Sequence, residues 1–379
     1  MVKKSDKQEI VKIAIADAII IQEKIWFCAR NFNSLFCMDM ITKKVELVGI
    51  FPNEPYNQEI LYTSMKLVGE KIYFIPYHAK TIAVYDIIKK QFSNIDIEQR
   101  YISNLSLPLL FSGVEKYKNY LFILPLFAKA ILKLNTDTQE IEYISNWIED
   151  IKDKVFNERD IFFKRQAIIQ ENKLLVPFSN VNAVLELNCD TLESNIYMLG
   201  REEQGYSGIS YDGKDFWLTP RASGDLTIWN YNSNNIRVIK MCKEKINPYA
   251  FVGALFFENQ VMVFPEMEEE YVLENSIKTI KIQRGLYSFI KEENNNIIYY
   301  DRVKNILTII NKKDKNKEEI EFILDSSLIN LKQMVEEKGL VEEQEEVNLK
   351  SFLSLVVRKD SEMFQEEGKK GKDIYQKMK

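Results

Sequence analysis

Seven copies of one strand-turn-strand pattern run through residues 13 to 323, and this repetition constrains the fold more tightly than anything else in the chain. Each copy opens with a short apolar run, crosses a polar turn such as Glu23-Lys24 or Glu70-Lys71, enters a second strand and then a third. The second strands carry Trp26-Phe27, Tyr73-Phe74, Leu121-Phe122, Leu174-Leu175, Phe216-Trp217, Val261-Met262 and Ile298-Tyr299. The third end at Asp39, Asp86, Asn135, Asn188, Asn230, Glu274 and Asn311, at spacings of 47, 49, 53, 42, 44 and 37 residues. Repeats of this length mark propeller blades, because four strands cannot bury a sheet face alone and must stack it on the next copy. The periodicity predicts an all-β, seven-bladed β-propeller over residues 13–324. The seventh copy, with its charged KKDKNKEE loop, is the weakest, and six blades plus an irregular segment is the alternative.

Composition narrows the class. At 379 residues, 46% hydrophobic and 12% aromatic, the chain can bury a large core. With 51 basic against 56 acidic residues the net charge is -5, which gives no reason to expect nucleic acid. Lys12 and Asp17 interrupt what would have to be the apolar core of an export signal, and residues 1–12 read as an N-terminal extension. No run approaches the roughly 18 apolar residues of a membrane span. A cytoplasmic protein without membrane contact is the expectation. Cys28, Cys37, Cys189 and Cys242 lack Cys-x-x-Cys spacing and read as small buried hydrophobes, although Cys28 and Cys37 flank the first hairpin and could face each other across it.

The second copy shows the blade plainly as ILYTSMKLV, KIYFIP, TIAVYD and QFSNIDI, short segments rich in Ile, Val, Tyr and Phe. Between third and fourth strands recur Asp39-Met40-Ile41-Thr42, Asn135-Thr136-Asp137-Thr138 and Asn188-Cys189-Asp190-Thr191. Asp or Asn at the first of these positions accepts backbone hydrogen bonds from two residues on, so these carboxylates and amides are turn chemistry. The hairpin resembles the blades of Kelch-like and quinoprotein-like propellers, and the resemblance covers roughly residues 13 to 323. It implies architecture alone: the Kelch double glycine, the Gly-His and Trp-Asp pairs and the tryptophan-docking signature are all missing.

Prolines close five of the second strands, at Pro76, Pro125, Pro177, Pro220 and Pro265, where ladder pairing ends. In a propeller the loops that follow share one face with the links between blades. Read in register, they place Arg30, His78, Lys80, Lys129 and Arg221 on one rim, while the sixth copy contributes Glu266, Glu268, Glu269 and Glu270. A rim basic over one arc and acidic over another focuses opposite fields at the funnel mouth and suits an anionic ligand. On the inner strands Asp17, Ser64, Gly113, Arg165, Gly208 and Gly253 fall at nearly equivalent positions facing the channel. Small residues belong there for want of room, and Asp17 and Arg165 are the exceptions, candidates for an ion pair.

The residues of most catalytic constellations are lacking. His78 is the single histidine, which removes multi-histidine metal centres and weakens a Ser-His-Asp arrangement. There is no phosphate loop, and Ser207 in GYSGIS has the wrong flanks for a nucleophile elbow. No cofactor, metal or catalytic residue is expected. Beyond the repeats, 325–346 reads as an acidic linker or helix, and 347–379 as a short helical tail in which Leu349, Phe352, Leu353 and Val356 form an apolar stripe that can dock on the ring or on a partner. Three functions fit: a binding or scaffold propeller for a protein partner or small anionic ligand, a lactonase, lyase or epimerase acting on an anionic sugar, and an accessory subunit of a glycan- or peptide-modifying enzyme.

Overall fold

The computed structural model describes residues 10–55, 58–102, 109–154, 162–200, 205–222, 225–240, 250–266 and 279–325. Seven sheets follow one another along the chain, one per repeat, which makes the protein an all-β, seven-bladed propeller. Its internal contacts divide it into two units, residues 1–62 with 322–379 and residues 63–321.

The first unit holds blade 1, the antiparallel meander Ile15–Ile21, Lys24–Ala29, Leu35–Asp39 and Val45–Gly49. The repeats left no terminal strand to spare, yet Ile10–Lys12 pairs antiparallel with Ile323–Asp325. Phe27 contributes to the core here, 5.4 Å from the Phe36 ring and 4.6 Å from that of Phe322. Cys28 stands opposite Leu35, and Cys37 opposite Trp26, so the two thiols do not face each other. Both are buried and free.

The second unit contains the other blades. Blade 2 comprises Tyr62–Val68, Lys71–Pro76, Ile82–Asp86 and Gln91–Ile95, and its first strand begins at the unit boundary. Blade 3 runs Phe111–Tyr117, Tyr120–Pro125, Ile131–Asn135 and Ile141–Ile144, and blade 4 runs Ile168–Gln170, Lys173–Pro177, Ala183–Asn188 and Ser194–Met198. Blade 5 is Tyr206–Tyr211, Phe216–Pro220, Asp225–Asn230 and Asn235–Lys240. Blade 7, which looked weakest in sequence, is a complete meander of Tyr287–Glu293, Asn296–Asp301, Ile306–Asn311 and Lys317–Glu321.

The irregular copy is the sixth. Phe251–Phe257 and Gln260–Pro265 form the usual hairpin, but the third strand, Ile280–Ile282, runs parallel to the second. The expected third-strand end, Glu274, lies outside the described residues.

Alternating apolar residues of neighbouring sheets interlock into successive cores between blades. Ile75, Ile82 and Val84 of blade 2 meet Leu121, Ile123 and Leu132 of blade 3. Phe122 and Leu124 then meet Leu174, Val176 and Leu185 of blade 4, and the series continues to Phe264 against Tyr299 at blades 6 and 7. The blade 3–4 link adds the single-turn helix Trp147–Ile151, whose Trp147 ring is fully buried among Phe162, Phe163 and Phe178 and donates its Nε1–H to the Ile144 carbonyl at 3.0 Å.

Turn chemistry follows the sequence reading. The Asp39 Oδ1 accepts from the backbone N–H of Ile41 at 3.1 Å and of Thr42 at 2.7 Å, and Asp86, Asn135, Asn188 and Asn311 do the same in their own blades. Asn294 and Asn295, both with positive φ, close the first hairpin of blade 7 with the backbone twist that two-residue turns require.

Candidate functional site

A recurring pair of backbone bonds positions the rim. The residue after each second strand donates its N–H to the residue just before the first strand of its own blade: Leu126 to Leu110 at 2.8 Å, Arg221 to Gly205 at 2.9 Å, Glu266 to Ala250 at 2.9 Å and Arg302 to Leu286 at 2.8 Å. Its carbonyl is then free to accept from the next blade, as Leu126 does from Phe162 at 3.0 Å and Arg221 from Ala250 at 2.8 Å. Each rim loop therefore leaves its blade from the same point. The prolines fit this scheme because they terminate the second strands, Pro125, Pro220 and Pro265 standing opposite Phe111, Tyr206 and Phe251.

Within the second unit, His78, Lys80, Lys129 and Arg221 all lie in these loops. Lys80 and Lys129 hold the fourth loop position of blades 2 and 3 and are exposed. His78 is half-buried with its ring edge-on to Tyr77, centroids 4.7 Å apart. Arg221 is half-buried and donates from Nη1 to the Ser179 carbonyl at 3.3 Å, so part of its hydrogen-bonding capacity holds blade 5 to blade 4. Arg30 occupies the equivalent first loop position in the first unit, its N–H on the Ala14 carbonyl at 2.7 Å.

The acidic arc differs from expectation. Glu266 is met by Lys164 of blade 4, Nζ to Oε2 3.5 Å, and its carbonyl accepts from Arg302 Nη2 at 2.7 Å. Glu268, Glu269 and Glu270 lie outside the described residues. Sequence reasoning missed Lys164 and Arg302. Arg302 could have been found, since it follows the second strand of blade 7 as Arg221 follows that of blade 5; Lys164 could not, because blade 4 carries an extra residue ahead of its short first strand.

That extra residue also shifts the channel assignment by one. The inner strands of blades 3, 5, 6 and 7 share a bulge, between Phe111 and Gly113, Tyr206 and Gly208, Phe251 and Gly253, and Tyr287 and Phe289. In blade 4 it is Gln166, next to the expected Arg165, that reaches across. Its Oε1 accepts from the Ala254 N–H at 3.2 Å and its Nε2 donates to the Ala254 carbonyl at 2.6 Å. A Cβ on Gly208 or Gly253 would overlap this amide, and one on Gly113 would overlap the Arg165 carbonyl. The glycines are small because blade 4 fills the space before them.

Arg165 itself places its guanidinium over the Phe289 ring, 5.4 Å from the centroid. Asp17 is buried in the first unit, opposite Cys28. Ser207 is the bulged residue of blade 5, and its Oγ donates to the Thr219 and Pro220 carbonyls at 3.4 and 3.3 Å. Ser112 does the corresponding work in blade 3, bonding Lys164 O at 3.0 Å, so Ser207 is a strand-bulge hydroxyl.

Further along the inner strands, Glu115 stands within the fields of Lys66, Glu293 and Lys291. Burial raises its pKa, the two lysines oppose that shift and Glu293 adds to it. Lys291 lies 3.7 Å from Glu293. Among the described residues no group of three or more His, Cys, Asp or Glu is placed to hold a metal ion.

The fold thus defines a seven-bladed propeller with a polar rim and a channel crossed by Gln166. No known protein family and no curated protein matches the chain. Among solved structures it is similar to a virginiamycin B lyase from Staphylococcus aureus, at 11% identity, 83% of this chain, 88% of that one and a TM-score of 0.49. It is similar also to BamB from Moraxella catarrhalis, at 10% identity, 76% and 81% coverage and a TM-score of 0.48. The likeness is one of fold.

Proposed function

We propose that this protein is a non-catalytic cytoplasmic binding propeller whose rim takes an acidic segment of a partner protein. The observation that carries this reading is the matched placement of Lys80 and Lys129, exposed at the same loop position of adjacent blades and anchored by the same backbone geometry. Two like charges held side by side on a rigid rim reinforce one another's field, and that field steers an anionic partner and weakens with salt. Lys164 and Arg302 act in the same direction by covering Glu266. The apolar stripe of Leu349, Phe352, Leu353 and Val356, which lies outside the described residues, is a second contact in this proposal.

The test is a charge reversal read against a defined probe. A fluorescent oligoglutamate peptide should bind the wild type at low salt and less tightly at physiological salt. K80E/K129E should weaken binding roughly ten-fold or more, about 1.4 kcal/mol, while leaving the circular dichroism spectrum and melting temperature in place. Undiminished binding by a folded double variant would refute the proposal.

A further inference from the structure

Blade 7 shows one polar face. Tyr287 stands opposite Asp301, Tyr299 opposite Thr308, and Thr308 opposite Glu319, so these side chains share that face of the sheet. Near the axis it is apolar and packed, with Tyr287 and Tyr299 against Phe264 at 5.1 and 5.0 Å between centroids. Farther out, blade 6 opposes it among the described residues with only the short strand Ile280–Ile282 and the link that follows. The result is a cavity of about 330 Å³ between that strand and the face of blade 7, within the size range of small-molecule sites.

Its chemistry is uneven in a way that specifies a ligand. Lys281, Arg284, Lys304 and Lys317 line it against two carboxylates, Asp301 and Glu319, a surplus of two positive charges (four minus two). The surplus is local. Lys317 lies 2.5 Å from Glu319 and Lys304 3.5 Å from Asp301, whereas Lys281 and Arg284 on the blade 6 wall make no ion pair among the described residues. Gln283, between those two cations, has its Nε2 buried with no acceptor. A buried donor left unbonded is uncommon and calls for a partner oxygen.

The wall is pre-shaped. The Tyr287 hydroxyl donates to the Arg284 carbonyl at 3.1 Å, fixing the link, and Gly285 with φ of +151° passes where a Cβ would lie 2.5 Å from Asp301 Oδ2. Burial holds both tyrosines above the ordinary phenol range, so they remain neutral hydroxyls at physiological pH.

We propose that this cavity binds a sugar monophosphate. A phosphomonoester carries a charge of about −1.5 to −2 at pH 7, which matches the surplus. The Arg284 guanidinium presents the planar fork suited to two phosphate oxygens, Lys281 adds a point charge and Gln283 Nε2 donates to the third oxygen. Asp301 and Glu319, already held by their lysines, accept hydrogen bonds from sugar hydroxyls, and Thr308 can donate or accept. The site shares no residue with the cationic rim loops of blades 2, 3 and 5, and the two proposals stand or fall separately.

Isothermal titration with ribose 5-phosphate and glucose 6-phosphate tests it, with inorganic phosphate and unphosphorylated glucose as the separate halves. At least one sugar phosphate should bind ten-fold or more tightly than either half, and K281A/R284A should weaken that binding at least ten-fold with an unchanged melting temperature. K80E/K129E should bind as the wild type does. Glu319→Gln, on the exposed outer strand, should reduce the preference for the sugar phosphate over phosphate. Failure of both sugar phosphates to bind, binding indifferent to K281A/R284A, or phosphate alone binding as tightly as its sugar ester would each overturn the proposal.

Discussion

Replacing Gly208 by alanine should destabilise the protein through Gln166 and through little else. A Cβ at Gly208 overlaps the Gln166 Oε1, the far end of a flexible side chain, so the amide can swing away and the clash itself is cheap to relieve. What is lost is the pair of bonds to Ala254, at 3.2 and 2.6 Å, in a part-buried site. Stranding a buried backbone donor and acceptor costs about 1–3 kcal/mol each, so Gly208→Ala should cost about 2–6 kcal/mol. Gln166→Ala should cost a similar amount by the same loss, and adding Gly208→Ala to it should then cost almost nothing. Urea denaturation of the four proteins gives a coupling energy, expected at about 2–4 kcal/mol and readable against the slope of each transition. Gly113→Ala is the control: there the obstacle is the Arg165 backbone carbonyl, which cannot swing aside, so its cost of about 1–3 kcal/mol or more should persist when Gln166 is removed. If Gly208→Ala and Gln166→Ala are additive, the amide is not what the glycine makes room for and the account of the channel fails.

The remaining predictions concern the turns and the thiols. Backbone and side-chain hydrogen bonds from Thr42 lower the Asp39 pKa below 3.8, so its stabilisation is complete above that value and is lost as pH falls through the lower folded-state value. Asp39→Asn should leave the melting temperature at pH 7 unchanged, because Asn135 and Asn188 make the same turn, and should flatten the fall in melting temperature at acid pH; an unchanged acid slope would contradict it. Burial raises the Cys37 thiol to about 12 and the Cys189 thiol to about 11. Iodoacetamide at mildly alkaline pH should therefore leave both unmodified in the folded protein and label them in urea, as peptide mass spectrometry would show.

Much of the architecture is local, and local order is what a chain displays. Strand alternation, the Asx turns at Asp39, Asn135 and Asn188 and the prolines ending second strands each depend on residues within a few positions, so blade count, strand limits and rim loops were legible in the sequence. The same holds for the shared placement of Lys80 and Lys129, one motif offset from the end of equivalent strands. What depended on contacts between distant segments was not legible. Whether blade 6 closes as a meander was decided by Ile280–Ile282 pairing parallel to Val261–Val263, a match that no local pattern announces. The Ile10–Lys12 pairing with Ile323–Asp325 joins segments more than three hundred residues apart. Gln166 fills the space before Gly208 and Gly253 only because one extra residue in blade 4 turns it toward Ala254. Sequence alone determined the repeat and its turns, because backbone propensity acts over short range. The tertiary structure decided the channel, the cavity and the neutralised Glu266, because packing and charge pairing act between residues that the chain itself keeps apart.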